Sequence, residues 1–130
     1  MAQKFGTGEH HLKKTTAYVN TGTTVVEKRG VILVAEPNLV DQAAVATLPI
    51  FGVALWSAAA GLPVTIVQNG DMIVEAGGVV AMNAELAMDA SGKFVTAVAT
   101  NNIVGRALTS AAADTDLFLA EIYESGWLKA

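Results

Sequence analysis

Residues 44–60 read AVATLPIFGVALWSAAA and residues 97–113 read AVATNNIVGRALTSAAA, with twelve of the seventeen positions identical and no gap. A chain of 130 residues that carries one element twice is built from two copies of a unit, and that restricts its architecture more than any local propensity. The shared letters are small or apolar, with one Gly (Gly52, Gly105) and one Ser (Ser57, Ser110), and no charged residue or histidine. The repeat therefore preserves a way of packing and not a reactive group.

Short runs rich in Val, Ile and Thr, broken by Gly, Pro and Asn, predict strands throughout. Expected strands are 17–19, 23–27, 31–35, 43–47, 50–56, 64–67, 72–75, 79–82, 85–88, 93–99, 103–109 and 117–123. The first two are expected to pair with each other around Asn20-Thr21-Gly22, and Asn69-Gly70 is expected to be a tight turn. Ser125-Gly126 is expected to close the last strand. The fold predicted is all-β, a small sandwich or barrel of two internally repeated lobes. The lobes are expected at about 30–67 and 83–120 within a domain 30–130, preceded by an extended N-terminal arm, 1–29, with a possible short hairpin.

Within the repeat, Gly52-x-Ala54-Leu55 and Gly105-x-Ala107-Leu108 set a Gly and an Ala two residues apart on one strand face. Side chains that small admit close approach of another backbone. Ser57 and Ser110, each just before three alanines, are placed to cap the turn that follows. All eight are read as structural.

Composition narrows the function. Apolar residues make up 52% and charged residues 15%, where about 25% charged is ordinary. So small a globule must leave part of that apolar excess on its surface, where it marks contact with other protein. With no cysteine, disulfide and thiolate chemistry are excluded. The net charge of −4 is unevenly spread, with five basic residues against two acidic in 1–30 and three against ten beyond. A basic arm on an acidic body suggests that the arm meets an acidic partner. The uncharged stretch 43–70 is long enough to cross a bilayer, but Pro49, Gly52, Gly61 and Pro63 interrupt it and its sister copy carries Arg106, Asp114 and Asp116. No membrane association is expected, and the N-terminus lacks the apolar core of a signal peptide.

Reactive constellations are scarce. His10 and His11 are adjacent and would point apart on an extended chain, so no metal site is expected. Ser91-Gly92-Lys93 fails as a phosphate loop because Ala87 and Phe94 stand where Gly and Ser or Thr are needed. Neither repeat serine has a histidine in its own lobe to act as base. Asp71 with Glu75, and Asp114 with Asp116, are read as solvated acids. The acidic body gives no groove for nucleic acid. No enzyme activity, cofactor, small-molecule substrate or nucleic-acid partner is expected.

Three segments carry a family likeness. The run 103–119, with Ile-x-Gly-x-Ala-Leu-x-Ser-Ala-Ala-Ala, a turn and then Leu-Phe-Leu, resembles the ending of tailed-phage capsid cement, or head decoration, proteins. Residues 52–67 (GVALWSAAAGLPVTIV) resemble that family's first copy of the element, and 89–96 (DASGKFVT) is similar to its Asp-x-x-Gly-Lys-x-Thr turn. The likeness spans about 30–123.

The resemblance implies a structural protein on the outside of the phage head that stabilises contacts between major capsid protein subunits as a homo-oligomer, a trimer favoured. A tail or fibre subunit is the alternative. The shared pattern does not require residues 1–29, so Lys4, Phe5, Leu12, Lys13 and Lys14 are expected to form a capsid-contacting arm.

Overall fold

The computed structural model describes residues 12–129 except Pro37, Thr47 and Leu48, and only the backbone of residues 125–128. Every regular element among them is a strand. In chain order these are β1 (Lys13–Val19), β2 (Thr24–Val25), β3 (Gly30–Ala35), β4 (Leu39–Gln42), β5 (Gly52–Ala54), β6 (Ala58–Ala59), β7 (Pro63–Glu75), β8 (Glu85–Met88), β9 (Phe94–Thr96), β10 (Asn102–Ala107) and β11 (Leu117–Leu128). The fold is all-β.

The pairings close on themselves twice. A first ring runs β1-β4-β3-β5-β7 and returns to β1, which pairs antiparallel with the first half of β7 from Tyr18↔Pro63 to Lys13↔Asn69. A second runs from the other half of β7 through β11, β10, β8 and β9, and Phe94 of β9 closes it by a parallel bridge to Ala76, the residue after β7. The registers correspond. Val31 pairs with Gly52 as Leu86 pairs with Gly105, and Tyr18↔Pro63 corresponds to Glu75↔Leu117. The small sheet β2–β6 (Val25↔Ala58) matches the single bridge Val80↔Ala111.

Two cores follow from alternation along these strands. Ala17, Val19, Val25, Val31, Val40, Ala54, Val64 and Ile66 fill the first ring. The same register places Val74, Ala76, Val80, Leu86, Phe94, Ala107, Phe118 and Ala120 at the corresponding positions of the second, all within one larger cluster. That cluster also takes in Ala43, Val53 and Val67 from the outer flank of the first ring, so the second ring is packed against the first.

Five expectations need correction. The pair 17–19 with 23–27 does not form, because β1 is taken by β4 and β7 and β2 by β6. Asn69-Gly70 is not a turn, since a two-residue type I′ turn needs positive φ at both residues and here only Gly70 has it, at 119°. Instead β7 runs straight through for 13 residues, with Gln68 as a bulge where its partner changes from β1 to β11. Ser125-Gly126 likewise lies inside β11, opposite a register shift in β10. Residues 43–46 form no strand, and of 79–82 only Val80 makes a bridge.

The repeat glycines sit where strands come closest. A Cβ on Gly52 would lie 2.5 Å from Val67 O, and one on Gly105 would overlap Glu121 O. Since both obstacles are backbone, Gly52→Ala and Gly105→Ala should each destabilise the chain by about 2 kcal/mol, within the range for overpacked cores. Gly78→Ala, with no atom within 4 Å and no positive φ, should change stability by less than about 0.5 kcal/mol. Urea denaturation of the three variants separates these outcomes.

Candidate interaction surfaces

The basic N-terminal stretch divides at the start of β1. Lys4, Phe5, His10 and His11 lie outside the described residues. Leu12 packs in part against the larger core cluster, while Lys13 and Lys14 are exposed on β1. These three residues are therefore attached to the body, six residues of β1 being in register with β7.

Much of the positive charge there already has its acidic partner within the chain. Lys13 pairs with Glu124 and Lys28 with Glu27. Arg29 makes a two-pronged contact with Glu75, Nε to Oε1 at 2.9 Å and Nη2 to Oε2 at 3.3 Å, both side chains being mostly buried. That geometry matches the planar guanidinium to the carboxylate and ties the turn before β3 to the end of β7. The charge asymmetry in the sequence thus reflects, for Lys13 and Arg29, contacts inside the molecule.

Of the repeat residues, Ser57, Ala58 and Ala59 line one side of an open depression, with Thr24, Val25 and Val26 on the other. Gly52, Ala54, Gly105 and Ala107 are buried, and Leu55 and Leu108 half-buried. Ser57 Oγ accepts from Glu27 N–H at 3.0 Å and so joins β2's following turn, not its own. In the second copy Ser110 is exposed, and a different contact forms beside it, Thr109 Oγ1 accepting from Leu119 N–H of β11 at 2.9 Å.

The acidic pairs are also engaged singly. Glu75 holds Arg29, and Asp116 Oδ2 accepts from the N–H groups of Ala112 and Ala113 at 3.0 and 3.1 Å. In the segment 89–96, Asp89 Oδ1 accepts from Ser91 and Lys93 N–H groups, a local turn held by its own side chain. Among the described residues no group of three or more His, Cys, Asp or Glu is placed to hold a metal ion.

Two surface features were not singled out from the sequence. One is a charged row across the outside of the second ring. Asp71 lies opposite Glu121, Glu121 opposite Arg106 and Arg106 opposite Glu85. Arg106 bonds Glu121 at 3.1 Å and Lys129 bonds Glu85 at 2.5 Å. The hydrogen bond to Glu121 raises the Arg106 pKa, so the guanidinium stays charged.

The other is uncharged. Ala35, Leu39, Tyr18 and Pro63 stand side by side across β3, β4, β1 and β7, and the nearby Leu33, Val34 and Leu62 are exposed. The register brings these residues together from three separate stretches of chain, at 18, 33–39 and 62–63.

The phage cement protein family matches residues 10–122. Among solved structures it is similar to the head fibre gp8.5 N base in bacteriophage phi29, with a TM-score of 0.71 and 18% identity over 92% of this chain and 99% of that one. At that identity the likeness shows the fold. No curated protein matches the chain. The chain belongs to the phage cement protein family, and as such is a structural protein of the virion on the outside of the capsid.

One electrostatic contact gives a direct test of the surface geometry. Lys93 Nζ lies 2.8 Å from Asp114 Oδ1, and this hydrogen bond lowers the Asp114 pKa. A carboxyl held lower in the folded state stabilises it fully above its unfolded pKa and ceases to do so as pH falls through the folded value. Asp114→Asn should therefore be less stable than the parent near neutrality, the difference vanishing in acid below the usual carboxylate range. Urea midpoints across pH give the comparison, and a difference that persists unchanged into acid would contradict it.

Proposed function

We propose that this chain decorates the expanded phage head by binding the major capsid protein, holding neighbouring capsid subunits together as a homotrimer. The observation that carries this reading is apolar surface left uncovered by two complete rings. Tyr18, Leu33, Leu62, Val79 and Met82 are all exposed although both cores are filled. Apolar side chains in such number on a small body gain by being covered with protein. Catalysis has no part in the reading, in which Glu75, Asp89, Asp114 and Asp116 hold structural contacts. The halves 30–67 and 83–120 are read as a duplicated unit, which the corresponding registers support. They would give one chain two similar grips on the shell.

Residues before β1 would add a tether. With Lys13 and Arg29 occupied within the chain, Lys4 and Lys14 are the charges left to meet a capsid, with Phe5 as an apolar anchor. Each exposed ion pair contributes only about 0.2–1 kcal/mol, but three tethers on one trimer act at high effective concentration. The similarity to a head fibre base favours one second reading, in which the chain anchors a longer projection.

Co-sedimentation with expanded, undecorated heads tests the proposal. Binding should saturate at a fixed ratio to the major capsid protein, and the free protein should have three times the mass of one chain. Removing residues 1–11 should weaken binding and its salt dependence while leaving the melting temperature unchanged. Absence of head binding, with an open-ended polymer in solution, would move the protein to a filament role.

A further inference from the structure

We propose that the open end of the first ring, centred on Leu33, is the face laid on the capsid. Its partner would be an uncharged strand flank of a capsid subunit that presents a small residue at the contact. This rests on the capsid-binding reading above.

Two pairings make Leu33 the counterpart of Met88. Val31 pairs with Gly52 as Leu86 pairs with Gly105, and Leu33 pairs with Val40 as Met88 pairs with Phe94. In the second ring that position is covered. Met88 is 1% exposed and reaches Gly30, where any side chain would collide with its sulfur, beside Ala43, Val53 and Val67 on the first ring's flank. Among the described residues Leu33 has no such cover and is 50% exposed, with Val34 next to it at 39%. The molecule thus contains one completed example of this contact and one half of another.

The surroundings of Leu33 are apolar by choice and not by the demands of the fold. Tyr18 and Leu39 correspond in register to Glu75 and Lys93. Those charged residues are satisfied at the same positions by Arg29 and Asp114. An uncharged surface that water could equally well have covered with charge is suited to being buried.

A second copy cannot supply the cover in this mode. The flank that Met88 uses carries Gly30, Val53 and Val67, and its counterpart on the second ring carries Glu85, Arg106 and Glu121. Laying Leu33 there would bury these charges with ion pairs broken or desolvated. The first ring's own flank is already occupied. The partner is therefore a different chain with an uncharged flank.

The test uses the full chain and expanded, undecorated heads. Leu33→Asp and, separately, Val34→Asp should melt and weigh in solution as the parent does, yet bind heads about 30-fold more weakly, the loss typical of a central anchor. Val98→Asp, at a similarly exposed apolar position of the second ring, should bind as the parent does. Head binding by both variants within twofold of the parent would overturn the assignment. So would a fall in native mass for either, which would make this end a contact between copies. If the parent itself fails to bind heads, the capsid reading is what fails.

Discussion

One strand holds the molecule together. β7 gives its first half to β1 and β5 and its second half to β11, so neither ring is complete without it. A strand with two partners in succession must reset its register where they change. Gln68 and Gly70 do this, one as an extra residue and the other through a positive φ. Two five-stranded units joined by a flexible linker would be free to move apart. Joined through a continuous strand, and with Val53 and Val67 packed into the second core, they share one body. For a protein that clamps a shell, that stiffness transmits load from one contact to another.

The repeated segment is legible because its strongest constraint is local. Gly52 and Gly105 must be glycine for the next strand to pass, so they and their small neighbours stayed alike while surrounding residues diverged. The closure of each ring was not legible, because it depends on β1 and on the second half of β7, which share few letters. Ala17-Tyr18-Val19 and Val74-Glu75-Ala76 occupy the same positions with only their alternation in common. Asn69-Gly70 misled for a related reason. The pair is a turn signal when strands must reverse, but β7 needs only the glycine's freedom to bend. The basic stretch was read by its charge sum, whereas Lys13 and Arg29 are answered by Glu124 and Glu75 from distant parts of the chain. Net charge along a sequence cannot show which charges will meet on folding.

The residues that distinguish the two rings say more about function than those they share. Shared positions are core, and they trade volume: Val40 and Val64 become Phe94 and Phe118, while Val19 and Ile66 become Ala76 and Ala120. Differing positions are surface, and their differences follow what each surface must do. Gly30 and Val53 lie under the neighbouring ring, and Glu85 and Arg106 at the same places face water.

That substitution also blocks a further unit from stacking on the second ring. Packing the end of one ring on the flank of the previous one is a heterologous contact, and such contacts propagate unless something blocks them. A third unit, or a second chain, would have to settle on Glu85, Arg106, Glu121 and Asp71. Within the row Arg106 stands between Glu85 and Glu121 and bonds Glu121, while Lys129 bonds Glu85. Covering it with leucine would remove water without offering a partner, and unpaired buried charge costs several kcal/mol. The charges therefore act against self-stacking while the uncharged end around Leu33 stays open. A filament subunit would need the opposite arrangement, with its two ends complementary to each other. This chain has one end fit for a partner and one fit for water, as a protein that terminates on a surface requires.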